Sequence, residues 1–438
     1  MNNQGLVIFL LLLNALIPIS GLFSAEINNQ FSVNTELPID ASLGIQLPDG
    51  FEATIFADIE GYGRHLAVRD DGTVYFALTV RLGRGSNMGI VAMRDTNDDG
   101  IADHIERFAT DIPGTALEFH NKFLYFGSKT EIYRFSFEGN EMVPNTDPQI
   151  VVGGFPEQRL HEAKTFAIDD KNNIYVNVGA PSNACMEEFR TRGSPGQMPC
   201  PQIKWQSGIW RFDADRVNQH QQTHGSLYAT GIRNAMAMKW NDVHKQLFFL
   251  THGRDALFTL FPEYYSPEES AELPSEEMHV LRENGHYGWP FTYYDHHQNK
   301  RVLAPEYGGD GLEGVQEGIY EEPVAVFPAH WAPNDIMFYT GNQFPSRYKK
   351  GAFIVFHGSW NRAPMPQRGY KVIFMPFDEG TPGQDWEVFA DGFKGTNDLQ
   401  SPGDAVHRPT GIAQGPDGEI YISSTVSGRV WRVDYTGE

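Results

Sequence analysis

The chain has 438 residues, 40% of them apolar and 13% aromatic, enough for one large β domain or two ordinary ones. A formal net charge of −22 argues against a nucleic-acid binder, which needs a basic face for phosphates. The acidity suits an exported protein, and 44 glycines with 27 prolines suit many strands joined by turns.

Residues 1–25 carry no charged side chain, and Leu6 to Ile19 is an apolar run broken only by Asn14 and Pro18. That run is shorter than the ~20 residues of a spanning helix. It reads as an export signal ending near Phe23, Ser24 and Ala25, with 26–438 as the mature domain. The segment has no cysteine for a lipid anchor, and no later stretch is apolar enough to span a bilayer. The expected location is periplasmic or secreted.

The first regular unit runs from Leu66 to Phe76, two apolar strands around an Asp71-Gly72 turn. Next comes Asp95 to Glu106, which matches the twelve-residue calcium loop at each ligand position. Asp95, Asn97 and Asp99 alternate, Gly100 permits the sharp turn, and Ile101 offers its carbonyl. Asp103 and Glu106 complete the set, and such a calcium ion would be structural. The strand–turn–strand unit returns at Leu117–Tyr125 and at Phe166–Val176. Cys185 and Cys200 follow in a stretch rich in turn formers. In an oxidising compartment they are expected to close a loop of about 15 residues, worth roughly 3 kcal/mol. Further copies lie at Met236–Phe248, near Ile336 with Ala352–Phe356 as the strand, and at Ile412–Ile422. Several units end in another strand, as at Glu131–Phe135, Gly208–Phe212 and Arg429–Val433.

Six such units predict an all-β fold, a six-bladed β-propeller with long loop insertions. A large sandwich or jelly roll is the competing architecture, disfavoured by the repeated closing strand. In a propeller the residues just before each innermost strand lie at the mouth of the central channel. Those are Arg64 and His65, His161, Arg233 and Asn234, His330 and Trp331, and His407 and Arg408. Cations and histidines converging in an acidic protein point to an anionic ligand.

The motifs also resemble a known family. They include Leu160 to Phe166, Ser182 to Cys185 with Pro199 to Pro201, Gly231 to Asn234, Gly253 to Asp255, Tyr287 to Pro290, Phe356 to Arg362, Gly369 to Val372 and Arg408 with Pro409. In this order the chain resembles the pyrroloquinoline quinone (PQQ)-dependent sugar dehydrogenases, most closely the sorbosone and pyranose dehydrogenase branch. Soluble glucose dehydrogenase is a more distant likeness. The family fold is the six-bladed propeller.

The resemblance implies a quinoprotein oxidising a sugar or 2-keto-aldose by hydride transfer to PQQ. His161 matches the general base, and an imidazole suits that task because its pKa lies near neutral pH. Arg233 and Asn234 match the pair beside the quinone, where a guanidinium stabilises growing charge. Arg362 and Arg408 match cations that meet the carboxylates of the cofactor, Arg64 is a further expected cofactor contact, and Asn361 stands where the glucose enzyme has a lysine. Trp331 is expected over the cofactor ring. The carbonyls of Gly253 and Arg254 match those holding the calcium that activates PQQ. Asp255 is either an extra ligand or a turn residue, and Tyr264, Tyr265, Tyr293 and Tyr294 sit in insertions near the substrate cleft or simply pack there. No Cys-x-x-Cys-His motif attaches a haem, so electrons would leave to a separate quinone or cytochrome. Two other readings stand beside this one: a calcium-dependent lactonase with acidic side chains at the axis, and a non-catalytic binding propeller.

Overall fold

Alternating apolar residues and tight turns fold the chain into antiparallel sheets arranged as blades. The computed structural model describes residues 44–80, 87–383 and 385–437, all within one unit. The expected export signal at 1–25 lies outside the described residues.

The first blade is Tyr62–Val68, Val74–Thr79, Gly89–Arg94 and His104–Phe108. The second is Gly114–His120, Phe123–Ser128, Ile132–Ser136 and Gln149–Gly153. The third is Phe166–Ile168, Asn173–Val178, Gly208–Asp213 and Ser226–Thr230. The fourth is Ala235–Asn241, Gln246–Thr251, Glu276–Val280 and Ala325–Phe327. The fifth is Pro333–Phe338, Gly351–Phe356, Lys371–Asp378 and Glu387–Ala390. The sixth is Pro409–Gln414, Ile420–Ser424 and Arg429–Tyr435, completed by Phe51–Asp58 from the start of the chain. Consecutive inner strands touch, and Tyr62–Val68 contacts both Gly114–His120 and Pro409–Gln414, so the ring closes. This is the six-bladed propeller expected from the repeats. Each repeat unit proves to be the hairpin of a blade's first two strands, and the closing strands are the third. The outer strands left no such trace; His104–Phe108, for instance, is almost wholly exposed.

Strand direction decides what meets at the axis. Inner strands start at one rim of the ring, called here the upper rim. The loops joining second to third strands emerge at the same rim. Three of these are long: 179–207, 252–275 and 357–370. In five blades the first inner-strand residues form a bulge, as between Gly63 and Leu66 or Pro333 and Asp335, which splays the strand starts where the site lies. Lower down, polar groups cross the channel. His65 Nε2 donates to the Asn334 carbonyl at 2.8 Å, and Lys239 pairs with Glu118 at 2.7 Å. The Cys185–Cys200 disulfide is formed and closes part of the first long loop.

Ring closure depends on Gly428. Its φ is +65°, its carbonyl accepts from the Ile59 amide at 2.9 Å, and an added Cβ would stand 1.8 Å from the Ile59 carbonyl oxygen. Gly428→Val should cost on the order of 2–3 kcal/mol or more through backbone strain at the seam. Thermal unfolding of the purified variant measures this, and an unchanged melting temperature would contradict it.

Candidate active site

The upper rim is organised around one carboxylate. Asp255 follows the second strand of the fourth blade and is buried. Its Oδ2 accepts from Arg233 Nη2 at 2.9 Å and Arg190 Nη2 at 3.1 Å, and its Oδ1 accepts from Asn361 Nδ2 at 2.6 Å. Asn183 exchanges two further bonds with the Asp255 backbone, each 2.9 Å, and accepts from Arg233 as well. Burial pushes the Asp255 carboxyl up, but Arg233, His330 and Arg190 together outweigh it and hold it at about 2.

His161 stands at the start of the third blade in the left-handed region, at φ +51°. Its Nδ1 lies 2.6 Å from the Ala180 carbonyl. A carbonyl only accepts, so Nδ1 carries the hydrogen and Nε2 keeps its lone pair. Gln158 holds this backbone: its Nε2 donates to the carbonyls of Leu160 (2.7 Å), His161 (2.9 Å) and Gly179 (3.0 Å). Gly179 leaves room for the ring, since a Cβ there would be 2.6 Å from His161 Cβ and 3.0 Å from Asn234 Oδ1. Burial, then the charge of Arg233, lower the His161 pKa to about 3.

The expected residues Arg64, His161, Arg233, Asn234, Trp331, Asn361 and Arg408 all gather at this rim. Asn234 Oδ1 accepts from Asn177 at 3.3 Å. Arg408 donates to the carbonyls of His357 and Gly358 and lies over the Tyr370 ring. Trp331 packs edge-on against Phe356 and Trp386. Among the described residues, the buried polar atoms here without a hydrogen-bond partner include Arg64 Nε, Trp331 Nε1 and Asn361 Oδ1. Two donors and one acceptor left unpaired at one rim are costly unless a polar ligand meets them. The donor set, with the nearby arginines, fits a flat polycarboxylate such as PQQ.

For calcium the relevant atoms are the carbonyls of Gly253 and Arg254. Among the described residues no backbone amide donates to either. The Gly253 amide donates to buried Glu276 Oε2 at 2.8 Å, and Ala332 donates to its Oε1 at 3.0 Å. The donor set thus fits a hard cation. The Arg254 side chain points elsewhere, pairing in the interior with Glu306. A cavity of about 30 Å³ lies here, lined by Asn183, Arg233, His252, Gly253, Arg254 and Trp289 among others.

Some expectations need correcting. Arg362 does not face the axis: its fully buried guanidinium donates to the Ala271 carbonyl at 2.7 Å, to Pro366 and to Glu272. His407 turns outward to Ser427 and the Trp431 ring, and His330 donates to the Ser270 carbonyl. Tyr265 and Tyr293 share a buried 2.7 Å hydrogen bond in the packed insertions. The calcium-like loop joins third and fourth strands, so it lies at the lower rim, away from the site. There Asp95 accepts from Gly100, Asn97 from Asp99, Asp99 from Ile101, and Asp103 from Thr96. Glu106 sits in the exposed outer strand opposite Ala92. Among the described residues no three His, Cys, Asp or Glu side chains converge to hold a metal. Residues given no role in the sequence reading are Asn183, Arg190, His252, Glu276 and His357, although Asn183 and His357 lie inside two of its motifs. His252 donates to the Pro333 carbonyl at 2.9 Å and His357 to that of Pro409 at 3.0 Å. Both follow a second strand, and reading the ends of second strands as well as the starts of inner ones would have found them.

Fold and site together define a class: a six-bladed propeller whose axis carries arginines, histidines and one organising carboxylate. A family model described as TrAA12-like matches residues 45–436, and the chain belongs to that family. An uncharacterised protein of Borreliella burgdorferi is 23% identical over 89% of this chain and 91% of its own length. The pyrroloquinoline quinone-dependent pyranose dehydrogenase of Coprinopsis cinerea is 25% identical over 55% of this chain. That match spans 36% of the fungal protein, so the chain covers only about a third of that relative. The solved holo PQQ domain of the Coprinopsis pyranose dehydrogenase superposes with a TM-score of 0.68 at 19% identity, covering 92% of this chain and 98% of that one, which establishes the shared fold.

The His161 environment has a measurable consequence. Its unfolded imidazole protonates near 6.5, while the folded one resists protonation until about pH 3. Burial therefore contributes stability above pH 6.5 that is lost as pH falls towards 3. Imidazole NMR of the folded protein should place the His161 midpoint below pH 5; a midpoint between 6 and 7 would contradict this environment.

Proposed function

We propose that the chain is a quinoprotein that oxidises a sugar or 2-keto-aldose, with PQQ and calcium bound at the upper rim. The observation that carries this reading is the set of partnerless buried atoms, Arg64 Nε, Trp331 Nε1 and Asn361 Oδ1, beside buried arginines. Arg64 and Arg408 would meet the carboxylates of PQQ, Arg233 and Asn234 its quinone end, and Trp331 its ring. Gly253 and Arg254 would hold the calcium by their carbonyls. When bound, PQQ supplies a quinone carbon that accepts hydride, polarised by the calcium as Lewis acid.

The chain's own residues do the rest. His161 Nε2 takes the proton of the sugar hydroxyl, and the Nδ1–H bond to Ala180 keeps the ring in the tautomer that allows it. Negative charge from a bound anion offsets Arg233 and raises the basicity of that ring. Asp255 fixes Arg233, so this cation does not reorganise as charge develops. Electrons then pass to a separate quinone or cytochrome. The buried disulfide favours an oxidising, exported setting for this chemistry. Among the described residues no helix is long and apolar enough to cross a membrane. The lactonase alternative needs free carboxylates around an axial metal, whereas here Asp255 is bound by two arginines and an asparagine, and both oxygens of Glu276 accept from the Gly253 and Ala332 amides.

The test is reconstitution of the purified protein with PQQ and calcium, followed by dye reduction with aldoses and osones. Reduction with at least one sugar is expected, and none with any would sink the proposal. His161→Ala should lower kcat on the order of 10²–10⁴-fold while PQQ stays bound. Undiminished turnover would remove His161 from the role of base.

A further inference from the structure

The three long loops of the upper rim are tied into a collar. Loop 179–207 meets loop 252–275 where the Gly193 amide donates to the Leu260 carbonyl at 2.9 Å. Loop 357–370 meets the same insertion where Arg362 grips the Ala271 carbonyl and Glu272. The helix Pro267–Glu272 at that junction is closed by a capping box between Ser266 and Glu269. These contacts hold the loops in place on the ring.

All three loops of this collar carry an exposed aromatic side chain, and the two most exposed are Phe189 and Trp360. Phe189 is 61% exposed and Trp360 is 59% exposed. Single exposed apolar residues are ordinary on protein surfaces. These two differ in placement. Phe189 is adjacent in sequence to Arg190, and Trp360 to Asn361. Arg190 and Asn361 bind the two oxygens of the same Asp255 carboxylate, at 3.1 and 2.6 Å. Neighbouring Cα atoms are only ~3.8 Å apart, so each aromatic residue is carried on the backbone directly beside a residue whose side chain reaches the site. The Arg190 side chain is itself 34% exposed and that of Asp255 11%, so this side of the network is open to solvent.

An exposed aromatic ring carried beside polar residues offers a flat apolar face among hydrogen-bonding groups. A pyranose presents the matching surface, a flat C–H face with hydroxyls at its edge. We propose that Phe189 and Trp360 form a second sugar-binding position outside the redox site, so that the chain acts on the end of an oligosaccharide whose next units lie against these rings. This rests on the sugar-oxidising reading above for what happens at the axis, but the binding position does not require it.

The experiment has two arms. In the first, glucose and its α-1,4- and β-1,4-linked oligomers up to the tetramer are compared as substrates of the protein loaded with PQQ and calcium. For one linkage series kcat/KM should rise about tenfold from monomer to tetramer, mainly through KM. Trp360→Ala and Phe189→Ala should each remove most of that gradient, and Trp360→Phe should keep it. In the second arm, borohydride-reduced tetramers, which have no oxidisable end, are titrated calorimetrically into the protein without PQQ. Binding should be seen for wild type and for Trp360→Phe, and should weaken in Trp360→Ala. Sugar oxidation with no length dependence, or a gradient that survives both alanine variants, would overturn the collar site and leave the redox proposal standing. Trp360-dependent binding of the tetramer with no sugar oxidised would support the collar and overturn the redox proposal. Neither binding nor oxidation would overturn both.

Discussion

The buried ion pair between Asp255 and Arg233 is the interaction on which the upper rim depends. A carboxylate taken out of water is costly, and removing one partner of such a pair typically costs about 3–5 kcal/mol. Asp255 offsets that cost by collecting donors from three separate parts of the chain. Arg190 comes from a loop within the third blade, Arg233 from the start of the fourth, and Asn361 from a loop within the fifth. One charge therefore joins three elements that the propeller ring alone would leave as independent loops. It also absorbs much of the field of Arg233, while Arg64 and Arg408 leave the rim cationic.

Strain and packing then place the base. His161 holds a left-handed backbone conformation that costs of order 1–3 kcal/mol for a non-glycine residue. The Gln158 amide and the bare Cα of Gly179 over-determine that conformation. The result is a neutral imidazole with one nitrogen spoken for by Ala180 and the other turned to chemistry. Deeper in the channel, His65 and the Lys239–Glu118 pair cross between non-adjacent blades. Groups that would otherwise be open to water are used there as packing, which concentrates binding capacity at the upper rim.

The fold was legible because each blade begins with a hairpin whose turn chemistry is local: Gly72, Asn172 and Gly418 all take left-handed φ at the turn. The outer strands were not legible, because exposed segments such as His104–Phe108 carry no alternating pattern, and Phe51–Asp58 joins the sixth blade only through ring closure. Of the rim, the starts of the inner strands were readable throughout, while the ends of second strands were read only through motifs such as Gly253 to Asp255, so Arg233 was anticipated and the neighbouring His252 and His357 were given no role. Arg362 misled because a motif shows residue type and spacing but not direction: Glu272, ninety residues away, claims that guanidinium. The calcium-like loop shows the same limit. Its spacing matches a ligand set, but the sequence did not show that it lies in a hairpin of the lower rim, away from the site, with its last acid on an exposed strand.

The central claim is that a carboxylate-organised, cationic rim receives an anionic quinone. It is tested most directly by titrating PQQ, with calcium present, into wild-type protein and into Asp255→Asn, following quenching of tryptophan fluorescence. The account predicts saturable binding at one PQQ per chain in the wild type and affinity weaker by about tenfold or more in a variant whose β-sheet circular dichroism is unchanged. Absence of saturable binding in the wild type, or equal affinity in the two proteins, would contradict it.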